Sequence, residues 1–93
     1  MEVKARKVAA SLKKKGLVEL ERGSHRHYRL MIDGKKTGVG TMMSRSVRDL
    51  GTPYLSTMAK ELELSYAELL DLIDCPLTAE AFVALLNERG RLR

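Results

Sequence analysis

The single cysteine, Cys75, has no second cysteine to pair with inside the chain. No disulfide framework is therefore expected, and nothing points to secretion. Tryptophan is absent and aromatic residues make up only 4%, so aliphatic side chains must build most of the core. Two histidines and one distant cysteine match no zinc spacing, and neither a metal site nor a cofactor is expected. No apolar run reaches membrane-spanning length, and no signal-peptide pattern opens the chain. The expectation is a cytoplasmic protein that does not engage a membrane. Internal repeats, low-complexity tracts and interdomain linkers are also missing. What is present, 93 residues of which 44% are hydrophobic, suffices for one domain with a modest core and argues against wholesale disorder.

Charge is unevenly spread. Residues 1–48 hold 13 Lys and Arg against four Asp and Glu, a balance of +9, whereas residues 49–93 hold four against eight, a balance of −4. A basic half facing a polyanion, RNA above all, and an acidic half free to dock elsewhere would produce this polarity.

Helical spacing of Val3 or Ala5 with Val8, Ala9 and Leu12 predicts a helix over 3–15. Lys13, Lys14 and Lys15 at its end suit the helix dipole or a phosphate, and Gly16 is placed to terminate it. Three strands are expected next, over 17–22, 26–32 and 35–43, with Asp33-Gly34 as the turn of the second hairpin. A two-residue turn there pairs Ile32 with Lys35, Tyr28 with Val39, His27 with Gly40 and Arg29 with Gly38. To keep Leu20 and Tyr28 on one face, the first hairpin needs Gly23, Ser24 and His25 as a three-residue loop. Glu21 then faces His27, and Glu19 faces Arg29. Gly38 and Gly40 either mark a β-bulge or let another backbone approach. After a loop over 44–51, Thr52 as N-cap and Pro53 as first helical residue open a helix to about Glu63 that buries Leu55, Met58, Ala59 and Leu62. A Ser65/Glu68 capping box opens a helix over 66–74, which Cys75-Pro76 ends. Thr78 caps a last helix to about Arg89, with Phe82, Leu85 and Leu86 inside and Gly90 as its stop.

The fold class is thus α+β: a helix, a three-stranded antiparallel sheet, a helix, and two short additional C-terminal helices. This order, with Gly23-Ser24-His25 after one helix and one strand, resembles the HicA toxin family of type II toxin–antitoxin systems. Leu50-Gly51-Thr52-Pro53-Tyr54-Leu55 leading into Met58-Ala59-Lys60-Glu61-Leu62 looks like that family's second helix. The resemblance covers roughly residues 4–64. It implies a double-stranded-RNA-binding-like (dsRBD-like) core over 1–64, with 65–93 as a helical extension packed on the same domain. It also implies an mRNA-cleaving activity with His25 as the essential residue and a HicB-like antitoxin as partner. Where family members often carry a second histidine directly after the first, this chain has Arg26.

The chemistry can also be reasoned from residue types. RNA is cut without metal when a base takes the 2′-hydroxyl proton and an acid protonates the leaving 5′-oxygen, and imidazole titrates near the required range. His25 is the candidate general base or acid. Gly23 permits the tight turn, and Ser24 can bond a phosphate or cap the loop. Arg26 and Arg29 would stabilise phosphorane charge. His27 is either a second proton-transfer group or a surface residue paired to Glu21. Lys4, Lys7, Lys13, Lys14, Lys15, Lys35 and Lys36 are candidate phosphate contacts. Two other functions fit the same chain: a non-catalytic RNA-binding domain, and a protein–protein adaptor using the acidic helices around Glu68, Asp71, Asp74 and Glu80.

Overall fold

The chain changes from helical to alternating periodicity and back, and the computed structural model follows it; it describes residues 2–74 and 76–92, and of Arg22 the backbone alone. In order come β1 (Val3–Lys4), α1 (Ala5–Lys14), β2 (Leu17–Arg22), β3 (His25–Ile32), β4 (Lys35–Ser44), β5 (Asp49–Leu50), α2 (Thr52–Glu61), α3 (Tyr66–Ile73) and α4 (Ala79–Glu88). Among the described residues the fold is mixed α and β, with a three-stranded antiparallel sheet in the order β2-β3-β4 and four helices. The expected helix stop at Cys75-Pro76 falls partly on Cys75, outside the described residues.

Two elements were not anticipated. Val3 and Lys4 leave the predicted first helix to pair with Leu50 and Asp49 in a two-stranded ladder. The Ala5 N–H then donates to the Arg48 carbonyl at 2.8 Å. This ladder fastens the start of α1 to the segment that leads into α2.

The helix ends obey local rules. α1 and α4 are closed by Gly16 (φ 100°) and Gly90 (φ 69°) in the left-handed region. α2 ends in the same way without a glycine. Glu63 (φ 62°) takes the left-handed position, its N–H bonding the Lys60 carbonyl at 3.1 Å, and the Leu64 N–H bonds the Ala59 carbonyl at 2.8 Å. The Ser65/Glu68 capping box is present, and the Thr78 hydroxyl accepts from the Ala81 N–H. At α2 the cap is Gly51 rather than Thr52, because its extended backbone (ψ 179°) already supplies the carbonyl that Leu55 N–H bonds at 3.0 Å.

The registers differ from expectation in both hairpins. β2 is displaced by one residue: Glu19 faces Tyr28, Leu20 faces His27 and Glu21 faces Arg26, around a two-residue Gly23-Ser24 turn. The slip turns β2 over. Leu17 is buried against Leu30, Val18 is 45% exposed, and Glu19 accepts a 2.8 Å hydrogen bond from the buried Tyr28 hydroxyl. His27 and Glu21 consequently point to opposite faces, and Glu21 instead meets Arg45 at 3.5 Å.

In the second hairpin Ile32 does face Lys35, and Asp33 and Gly34 both have positive φ, as a primed two-residue turn requires. Beyond Met31 and Lys36 the register then jumps. Arg29 faces Gly40, Tyr28 faces Thr41 and His27 faces Met42. The extra residues of β4 form a bulge around Thr37, whose hydroxyl donates to the Leu30 carbonyl (2.9 Å) and accepts from the Val39 N–H (3.1 Å). The bulge alternative for Gly38 and Gly40 therefore holds, and the straight pairing of Tyr28 with Val39 does not.

Helices cover one face of the sheet. A single apolar cluster runs from Val8 and Leu12 through Tyr28, Leu30 and Val39 to Leu55, Met58, Leu72 and Phe82. The C-terminal helices belong to this cluster: Ser11 Oγ of α1 donates to the Ile73 carbonyl at 2.9 Å. The Arg89 guanidinium, just past α4, bonds the Glu63 carbonyl and both Glu68 carboxylate oxygens. No helix among the described residues is long and apolar enough to cross a membrane.

Candidate functional site

His25 is the first residue of β3, between Arg22 on β2 and Ser44 on β4, and it is half-buried. It therefore sits on a paired strand rather than at the loop tip, and the ladder fixes its backbone. Its Nδ1 shares a 3.2 Å hydrogen bond with the Ser24 hydroxyl, which leaves Nε2 as the ring nitrogen able to meet a ligand. Gly23 has φ 59° and supplies the turn. Of the expected supporting residues, His27 and Arg29 lie on the open face with His25, and the two imidazole centroids are 6.5 Å apart at 65°. Arg26, next along the strand, points to the opposite face.

His25 borders a cleft of about 220 Å3 whose other wall is α2. Met42 lines it from β4, and Tyr54, Thr57, Met58 and Glu61 line it from the helix. These four occupy positions i, i+3, i+4 and i+7, one face of α2. Two hydrogen bonds hold that face against the sheet edge. The Ser44 N–H donates to the Tyr54 hydroxyl at 3.0 Å, and the Thr41 hydroxyl donates to Glu61 Oε1 at 2.6 Å. Because Tyr54 accepts from the backbone, its own O–H remains available to donate, and Glu61 keeps a second carboxylate oxygen. The cleft thus gathers an imidazole, a carboxylate and a phenol. No family model, curated protein or solved structure matches the chain.

The predicted cations are scattered. Lys4 pairs with Asp49 (2.7 Å), Lys7 with Asp74 (3.1 Å) and Lys13 with Glu19 (3.3 Å), all on the surface. Lys14, Lys35 and Lys36 are exposed. Lys15 stands apart: it is only 5% exposed, and its Nζ donates to the Leu77 carbonyl, which ties α1 to the segment before α4. That contact removes it from the surface where a phosphate could reach it. On the open face, His27, Arg29 and Lys36 share a shallow cleft of about 320 Å3 with Leu20 and Thr37.

Beneath the sheet the Tyr28–Glu19 pair shifts both groups. Burial first, and then the Glu19 carboxylate, push the Tyr28 hydroxyl up to about 12, and that hydroxyl is the main cause of the lowered Glu19 carboxyl. Among the described residues, no group of three or more His, Cys, Asp and Glu side chains is placed to hold a metal ion.

Sequence reasoning misses Tyr54, Thr57 and Glu61 as site residues, because the apolar stripe of the same helix dominates its pattern. Their i, i+3, i+7 spacing is the available signal. It becomes informative only once Met42 and His25 are known to face it.

Proposed function

We propose that this protein is an RNA-binding ribonuclease of a toxin–antitoxin type, with a dsRBD-like core and His25 as its central catalytic residue. The observation that carries the proposal is the shared cleft, in which His25 and Glu61 face one space beside the Tyr54 hydroxyl. A strand cut by transesterification needs two proton transfers. One removes the 2′-hydroxyl proton as the 2′-oxygen bonds to phosphorus, and the other supplies a proton to the departing 5′-oxygen. The products are a 2′,3′-cyclic phosphate and a 5′-hydroxyl. His25 Nε2 and the free Glu61 oxygen divide these two transfers. Tyr54 O–H donates toward the charge that builds on the phosphoryl oxygens. The HicA resemblance supplies the setting, an mRNA substrate and a HicB-like antitoxin that covers the cleft.

The test is incubation of wild type, His25→Ala and Glu61→Gln with mixed-sequence RNA in EDTA, with end-group analysis of the products. Cyclic-phosphate ends from wild type are expected, with losses of about 100-fold or more in each variant. Cleavage undiminished by His25→Ala would refute the assignment. A salt-sensitive complex without any cleavage would favour a binding module on the same fold.

A further inference from the structure

At the N-terminal end of α1 a second cleft, of about 460 Å3, is lined by Lys4, Arg6, Arg26, Arg45 and Arg48. These five cations come from three stretches of chain, brought together by backbone bonds. Ala5 N–H donates to the Arg48 carbonyl at 2.8 Å, and Arg45 N–H donates to the Ser24 carbonyl at 3.0 Å. Carboxylates answer only some of the charge. Asp49 meets Lys4 at 2.7 Å, Glu21 meets Arg45 at 3.5 Å, and Arg26 stands near the Tyr28–Glu19 pair. Arg6 and Arg48 form no ion pair among the described residues. Like charges converging on one concavity repel, and an anionic ligand relieves that repulsion. Four of the five are arginines, whose planar donor fork fits paired phosphate oxygens better than an ammonium does.

We propose that this cleft is a binding site for the phosphodiester backbone of RNA. It rests on the RNA reading above and adds to it the path of the backbone, through Arg6, Arg45 and Arg48 rather than through the exposed lysines.

The test measures binding of a fluorescent 2′-O-methyl oligonucleotide by anisotropy across a salt series. That strand has no 2′-hydroxyl to attack, so binding is read apart from cleavage, and a failure of the nuclease assignment leaves this result intact. The variants are Arg6→Gln with Arg48→Gln, and Lys35→Gln with Lys36→Gln. Both pairs remove the same charge, but the lysines lie at the far end of the sheet, roughly 20 Å along the strands. Each lost phosphate contact lowers the salt slope by about 0.7, so the arginine pair is expected to flatten it by about 1.4 and to weaken binding about 25-fold at about 0.1 M salt. The lysine pair should change affinity by less than about threefold. Equal losses in the two pairs would overturn the proposal, since net charge alone would then explain binding. Glu21→Gln, which frees Arg45, gives a second reading in the opposite direction. Binding should tighten, by up to about fivefold, and weaker binding would overturn the site.

Discussion

Gly40→Ala is the sharpest test of the sheet described above. A Cβ at position 40 would lie 2.6 Å from the Tyr28 carbonyl oxygen and 3.3 Å from the Arg29 Cα. Ordinary contact begins near 3.4 Å, so the oxygen would have to retreat by about 0.8 Å in a close-packed interior. It cannot swing aside, because it belongs to the central strand, bonded to β2 on one side and β4 on the other. Forced overpacking of this kind costs about 2–3 kcal/mol. In a domain of this length each kcal/mol moves Tm by about 4–8 °C, so a fall of roughly 8–24 °C is expected. At Gly38, two residues earlier, an added Cβ would meet nothing within 4 Å, and φ is not positive. Gly38→Ala should be neutral, or stabilising by up to about 0.5 kcal/mol through lost freedom in the unfolded chain. Thermal unfolding followed by circular dichroism compares the two directly. In an unbulged register both glycines would occupy equivalent sites on the open face. Equal Tm values for the two variants would therefore refute the bulge and the crowding at Gly40 together.

Three further outcomes follow from the packing. Tyr28→Phe removes the hydroxyl that bonds Glu19 beneath the sheet and should cost about 1–2 kcal/mol; an unchanged Tm would show the pair to be idle. Glu63→Gly relieves a non-glycine left-handed residue and should raise stability by about 1 kcal/mol. The exposed Glu63–Arg91 pair lost with it is worth little, and a lowered Tm would contradict this account of the α2 terminus. The Glu68 carboxyl is held down to about 2, first by the Arg89 guanidinium and then by the Ser65 N–H. A lowered folded value means that the contribution is complete above about pH 4.5 and is lost as pH falls toward 2. Solvent screens this surface pair, so Arg89→Ala should lower Tm only modestly at neutral pH, with the gap to wild type narrowing in acid to what the bond to the Glu63 carbonyl contributes. A gap that did not narrow below pH 2 would show that the Glu68 charge contributes nothing.

The helices and most of their caps were legible because they are signalled within a few residues, although the cap of α2 falls on Gly51 instead of Thr52. Gly16, Gly90, Ser65 with Glu68, and Thr78 act locally, and the structure uses all of them. Register was not legible, for a specific reason. Leu17-Val18-Glu19-Leu20 places apolar residues on both faces of β2, so alternation cannot choose between them. The choice is made by Leu17, which is buried opposite Leu30, and by Glu19, which bonds Tyr28. The bulge at Thr37 likewise depends on a hydroxyl standing in for ladder bonds, which no period reveals. β1 and β5 are each two residues long and pair across almost half the chain, beyond the reach of local patterning. The candidate site divides in the same way. His25 could be named from its Gly-Ser-His step and the family resemblance, while Glu61 and Tyr54 arrive from another element. Arg6, Arg45 and Arg48 converge only after the Ala5–Arg48 bond has closed.

His25 and Arg26 are adjacent in a strand and so face opposite sides of the sheet. His25 lines the cleft walled by α2 and Arg26 the arginine-rich cleft, so one strand end borders both. A polymer occupying both must round that strand end within a short contour. Duplexes resist such a turn, since a double helix of DNA stays straight over about 150 base pairs, whereas a single strand folds over it readily. For any ligand that engages both clefts, strand alternation becomes a filter on bending stiffness, sorting flexible chains from rigid ones before any base is read.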